Sequence, residues 1–140
     1  MAEYKRAFRP SRYLDQPYAM VAAFAIVGES DEHARRLARP VQVGFLQVQG
    51  ASRSPAYPSA AEAEAHRFTA DDEALVERLF APQLIGGPET VGRRLEELIA
   101  RTGADEVMAV TMVPDPTDRI RSYDRLAQVA GLVSPVATPV

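Results

Sequence analysis

The sequence has no cysteine and no tryptophan, only two histidines, and a single lysine, Lys5, among sixteen basic residues. Without cysteine there is no disulfide framework, no thiolate nucleophile and no cysteine-ligated metal. His33 and His66 are two isolated histidines without a paired carboxylate geometry, so no metal site is expected. Positive charge is not in excess: the formal net charge is −3, which argues against nucleic acid or an anionic membrane as an electrostatic partner. Long hydrophobic runs are missing too. The longest, Tyr18 to Val27, is far below the ~20 residues needed to span a bilayer. The first residues, Met1-Ala2-Glu3-Tyr4-Lys5-Arg6, lack the apolar core of a signal peptide. The expected location is the cytoplasm, with no membrane partner.

What is present fits an ordinary globular chain. Hydrophobic residues make up 46% and charged residues 25% of the 140 positions. That length sets one domain, residues 1–140, as the expectation. The stretch before Pro17 is polar and arginine-rich, and reads as a short helix or an extended arm. Tyr18 to Val27 then forms a near-continuous apolar run ending at Gly28, the pattern of a strand in a parallel sheet. Ser30 is an N-cap candidate, with Asp31 and Glu32 in the first turn of a helix whose stripe is Ala34, Leu37, Ala38, Val41, Phe45 and Val48. Pro40 lies inside that stripe and predicts a bend near residues 36–40.

Residues 50–68 are rich in Ala, Ser, Pro and Glu and read as a long surface loop. Thr69 starts a helix carrying Leu75, Val76, Leu79 and Phe80. Gln83-Leu84-Ile85 reads as a short strand. It is followed by Gly86-Gly87 and by Pro88 at a first helical position, where its missing N–H costs nothing. Val91, Leu95, Leu98 and Ile99 give that helix one apolar face, and Gly103 closes it. Glu106 to Val113 reads as another strand. Asp115-Pro116 opens a last helix whose expected inner face is Ile120, Tyr123, Ala127 and Ala130, before a frayed tail at 131–140. Strands alternating with helices predict an α/β fold with about three parallel strands.

Few side chains suggest chemistry. Gly86, Gly87 and Thr90, at a strand-to-helix turn, could offer donors to a phosphate, although Glu89 puts a negative charge there and the plain alternative is a structural turn. Ser122, His66 and Asp124 can be combined on paper, but no nucleophile elbow accompanies them. Arg6, Arg9 and Arg12 with Phe8 and Tyr13 read as packing or oligomer contacts, and the later Arg–Glu and Arg–Asp pairs as solvated helix faces. No catalytic residue is assigned.

Five segments, in order, resemble one family. They are Phe8-Arg9-Pro10-Ser11 with Pro17-Tyr18-Ala19-Met20, then Ser30 to Leu37, Ile85 to Val91, Thr102 to Met108, and Arg119 to Ala127. Together they resemble the carboxyl-terminal end of luciferase-like, flavin-dependent monooxygenases. Gly87 stands where the family usually has Ser or Thr, and Pro40 falls in a helix usually continuous there. The resemblance implies a partial (β/α)8 barrel of the TIM type, its last three strands, since a closed barrel needs ~250 residues. It further implies FMN as cofactor, with Gly86, Gly87 and Thr90 the only cofactor-binding candidates in this stretch, and O2 as oxidant of a small organic substrate. The strands carrying the family's catalytic and phosphate-binding segments have no counterpart here, so the chain alone should be catalytically silent. Open strand edges then predict a homo-oligomer, or a partner chain supplying the missing strands, with a non-enzymatic binding module as the alternative.

Overall fold

The computed structural model describes residues 1–49 and 57–132. The elements are α1 (Ala2–Ala7), β1 (Met20–Val27), α2 (Asp31–Gln49), α3 (Ala60–Ala65), α4 (Ala70–Phe80), β2 (Leu84–Gly86), α5 (Pro88–Thr102), β3 (Glu106–Val110) and α6 (Pro116–Val129). The tail from 133 and residues 50–56 of the expected loop lie outside the described residues.

Three parallel strands form one sheet, as expected, but in the order β2-β1-β3. In a closed (β/α)8 barrel each strand lies beside the next in sequence. Here β1 is the central strand, so β1 and β3 are the adjacent staves and β2 is a short addition beside the last residues of β1. The registers show this division. Met20–Phe24 pair with Glu106–Val110, whereas Ala25–Val27 pair with Leu84–Gly86.

The side chains of β1 alternate between two environments. Val21, Ala23, Ala25 and Val27 face α5 and α6, in a core with Leu84, Val91, Leu95, Leu98, Val107, Leu126 and Val129. Ile26, on the opposite face, joins a second core with Ala38, Val41, Phe80 and Val113. Met20 and Met108 on this second face are 45% and 50% exposed, with Ala22 and Val110 also exposed, because α2 and α4 cover only its far end. The sheet is therefore fully clad on one side and half bare on the other.

Polar side chains finish the ladder where strands run out. Beyond Phe24 the β3 side of β1 has no strand. There the Thr111 hydroxyl donates to the Ala25 carbonyl, and Ser122 Oγ accepts the Val27 N–H at 2.9 Å. Both residues are buried. The outer carbonyls of Gln83 and Ile85 accept from Arg94, each at 3.0 Å, which closes that edge of β2. Gln83 Oε1 accepts the Phe24 N–H at 3.1 Å. Among the described residues no strand lies beside Met20–Ala23 on the β2 side, or along the outer side of β3.

Helix α2 continues through Pro40 to Gln49. Pro40 is buried, and packing on α3 and the sheet outweighs the one backbone hydrogen bond it removes. Residues 60–65 of the expected loop are helical. Ser59 and Glu62 form a capping box, and Arg39 donates to the carbonyls of Ala63 and His66 at 2.8 and 2.7 Å. In α6 the inner face is Ser122, Leu126 and Val129, while Ile120 is 61% exposed; Tyr123 is partly exposed, but its hydroxyl turns back to the sheet and accepts the Thr111 N–H at 3.1 Å. In α5, Ile99 falls outside the apolar face, whereas Val91, Leu95 and Leu98 lie within it. The Gly103 stop is as read: its φ of 60° is the left-handed conformation that favours glycine.

Candidate functional site

Ligand chemistry in a parallel α/β sheet gathers at the carboxyl ends of the strands. Two turns meet there, β1 to α2 and β2 to α5. The Gly28 N–H donates to the Gly86 carbonyl at 3.0 Å, joining them. A side chain at Gly28 could not fit, since an added Cβ would lie 2.4 Å from the Ala34 backbone nitrogen. Helix α2 is capped by Ser30 Oγ, which accepts the His33 N–H at 3.2 Å.

Helix α5 has no side-chain cap of its own, because Gly87 occupies that position. Asp31, 56 residues earlier, supplies the missing acceptor. Its Oδ1 accepts the Gly87 N–H at 2.7 Å and its Oδ2 accepts the Thr90 hydroxyl at 3.0 Å. The Gly87 N–H and then the Thr90 hydroxyl hold the Asp31 carboxyl below the usual carboxylate range. One carboxylate thus serves two helix N-termini at once: it lies in the first turn of α2 and caps α5.

Gly86, Gly87 and Thr90 are therefore brought together, with a protein carboxylate on their donors. A cleft of about 220 Å³ opens beside them, lined by Glu29, Asp31 and Glu89 and by no basic residue. Glu29 is paired with Arg125, but Asp31 already occupies the turn's donors and Glu89 adds a second negative charge beside them, which disfavours a phosphate. These residues fit a structural clamp and do not fit a flavin phosphate. A second cleft, of about 300 Å³, has Arg35 and Arg94 on its walls, but Asp31 and Glu77 balance them.

The remaining candidates are dispersed. His33 Nδ1 accepts the Glu29 N–H at 3.2 Å, and Glu29 is held by Arg125 at 2.8 Å. His66 stacks edge-on against Phe68. Ser122 is fully buried and committed to Val27, so it is no nucleophile. Among the described residues no three acidic or histidine side chains converge on a point that could hold a metal. Nor is any described helix long and apolar enough to cross a membrane. At the amino ends of the strands, the Tyr18 hydroxyl donates to Glu106 Oε2 at 2.7 Å, and Lys5 lies 3.7 Å from Asp105. Sequence reasoning placed Asp31 in a helix first turn and Ser122 in a paper triad, and missed what each does, because their partners lie too far along the chain for any spacing to show.

No protein-family model matches the chain. It is 35% identical over 126 residues to the uncharacterized protein YceB of Bacillus subtilis, and 31% identical to YvbT of the same organism. The luciferase-like monooxygenase of Escherichia coli K12 is 25% identical over 121 residues, or 86% of this chain. Among solved structures, that of apo-MsnO8 superposes with a TM-score of 0.83 at 25% identity, over 94% of this chain and 40% of the other. The chain spans only 38% of the length of YceB and 36% of the Escherichia coli protein. Over most of its length the chain is thus distantly similar to luciferase-like monooxygenase, and its sheet and helices match part of a larger fold.

Proposed function

We propose that this chain supplies the C-terminal part of the barrel of a luciferase-like, flavin-dependent oxidoreductase, working in the cytoplasm as one piece of a larger assembly. The observation that supports this reading best is the half-bare sheet. Two adjacent staves, β1 and β3, are clad by helices outside and left open on the side that a barrel would enclose. Distant similarity to luciferase-like monooxygenase over 86% of the chain agrees with it. FMN would supply the redox chemistry, with O2 oxidising a small organic substrate, and it would be held by segments outside this chain. The chain's own contribution is structural: Asp31 locks the turns at the carboxyl ends of the strands, and Thr111 and Ser122 fix the end of β1.

Titration with FMN and reduced FMN, followed by gel filtration with light scattering, tests this. The lone chain is expected to bind no flavin at micromolar concentration and to turn over nothing. Micromolar binding with FMNH2-dependent turnover by the lone chain would refute the proposal. A second reading, a non-enzymatic module that self-associates, draws on the same bare face and edges. It requires a homo-oligomer whose mass is unaffected by FMN.

A further inference from the structure

The bare face has a definite chemistry. Period-two alternation puts Met20, Ala22 and Phe24 of β1 beside Glu106, Met108 and Val110 of β3. The face is apolar except at its lower end, where the Tyr18 hydroxyl occupies one oxygen of Glu106. The other oxygen of Glu106 has no partner among the described residues, and no basic residue lies on these strands. Among the described residues two lengths of backbone without a strand partner frame the patch, at Met20–Ala23 and along the outer side of Glu106–Val110.

Covering this face takes the Glu106 carboxylate out of water. A buried carboxylate without a counter-charge costs several kcal/mol, whereas one paired with a guanidinium or ammonium does not. A second copy offers no remedy. Docked face to face, it would bring either another Glu106 or an apolar strand against the first, since the face carries no cation and nearby Lys5 is engaged by Asp105 and the Gly103 carbonyl.

Building on the barrel reading above, we infer that the occupant of this face is a different polypeptide segment, one that adds parallel strands at the two free edges and presents an arginine or lysine to Glu106. Its surface is otherwise apolar, to match Met20, Phe24, Met108 and Val110. The Tyr18 hydroxyl orients the carboxylate and leaves one oxygen for the incoming cation.

The test co-expresses the full chain with the part of Bacillus subtilis YceB that it does not match, and measures complex formation by light scattering and titration. The expected result is a 1:1 complex with hydrogen-exchange protection at Met20–Phe24 and Glu106–Val110. Glu106→Lys is expected to weaken it at least tenfold, and Glu106→Gln less. Glu96→Lys, the same charge change on the exposed side of α5, is expected to leave affinity unchanged. Glu106 is exposed, so its variants should fold, and far-ultraviolet circular dichroism checks that they do. A complex that binds Glu106→Lys as tightly as wild type overturns the counter-cation and leaves the barrel reading standing. A homo-oligomer protected on this face, or no complex at all, overturns both.

Discussion

The hydrogen bond from the Val27 N–H to Ser122 offers a direct test of how the central strand is held. β1 loses its neighbour on the β3 side after Phe24, yet Ala25, Ile26 and Val27 are almost wholly buried. A buried N–H without an acceptor costs ~1–3 kcal/mol, while the hydroxyl of serine adds little volume. Ser122→Ala should therefore destabilise the fold by about 1–3 kcal/mol, well above the ~0.5 kcal/mol typical of surface changes. The neighbouring substitution calibrates it. Thr111→Val keeps the shape and removes only the donor to the Ala25 carbonyl, and an under-satisfied carbonyl is tolerated better than an orphaned N–H. Its cost should be smaller. Exposed Ser11→Ala serves as the reference, its Oγ accepting the Tyr13 N–H in solvent. Urea unfolding with a common m-value would show the order Ser122→Ala, Thr111→Val, Ser11→Ala in decreasing cost. If Ser122→Ala falls within ~0.5 kcal/mol of wild type, the side chain is not what satisfies β1, and the reasoning fails.

Three further changes probe the turns and caps. Asp31 is lowered in the folded state, so its contribution is complete above the ordinary value of 3.8 and disappears as pH falls through the folded value. Asp31→Asn should thus be less stable than wild type at neutral pH and equal to it in strong acid. A gap that persists unchanged in urea melts at about pH 2 would count against the clamp. Gly28→Ala forces a Cβ into backbone at 2.4 Å and should cost more than ~3 kcal/mol, read as a collapsed urea midpoint or insoluble protein. Thr69→Ala removes the acceptor for the Asp72 N–H at 3.2 Å at the start of α4 and should cost ~1 kcal/mol, with the loss in hydrogen-exchange protection confined to that helix.

Helix ends were legible in the sequence because capping is local. Ser30, Thr69, Gly103 and Asp115 mark helix ends as read, each through a contact within a few residues, and Pro88 marks one through its own fixed φ and missing N–H. Ser59 and Glu62 carried the same signal, and the Ala- and Pro-rich composition around them hid it. The inner face of α6 was misread for a different reason. Apolarity favours Ile120, yet a polar residue, Ser122, is buried because a strand 95 residues earlier needs its oxygen.

The sequence by itself determined the class of the fold: strand and helix alternation, the parallel direction of three strands, and the ends of most helices. The alternation and the helix ends depend on interactions within a turn or two of chain, and the parallel direction follows from the crossover connections that alternation imposes. Only the tertiary structure decided that β1 is central, that one side of the sheet is half bare, and that Asp31 stands at the turn a phosphate could have used. Those depend on pairs separated by tens of residues, where neither periodicity nor composition constrains which backbone group meets which side chain.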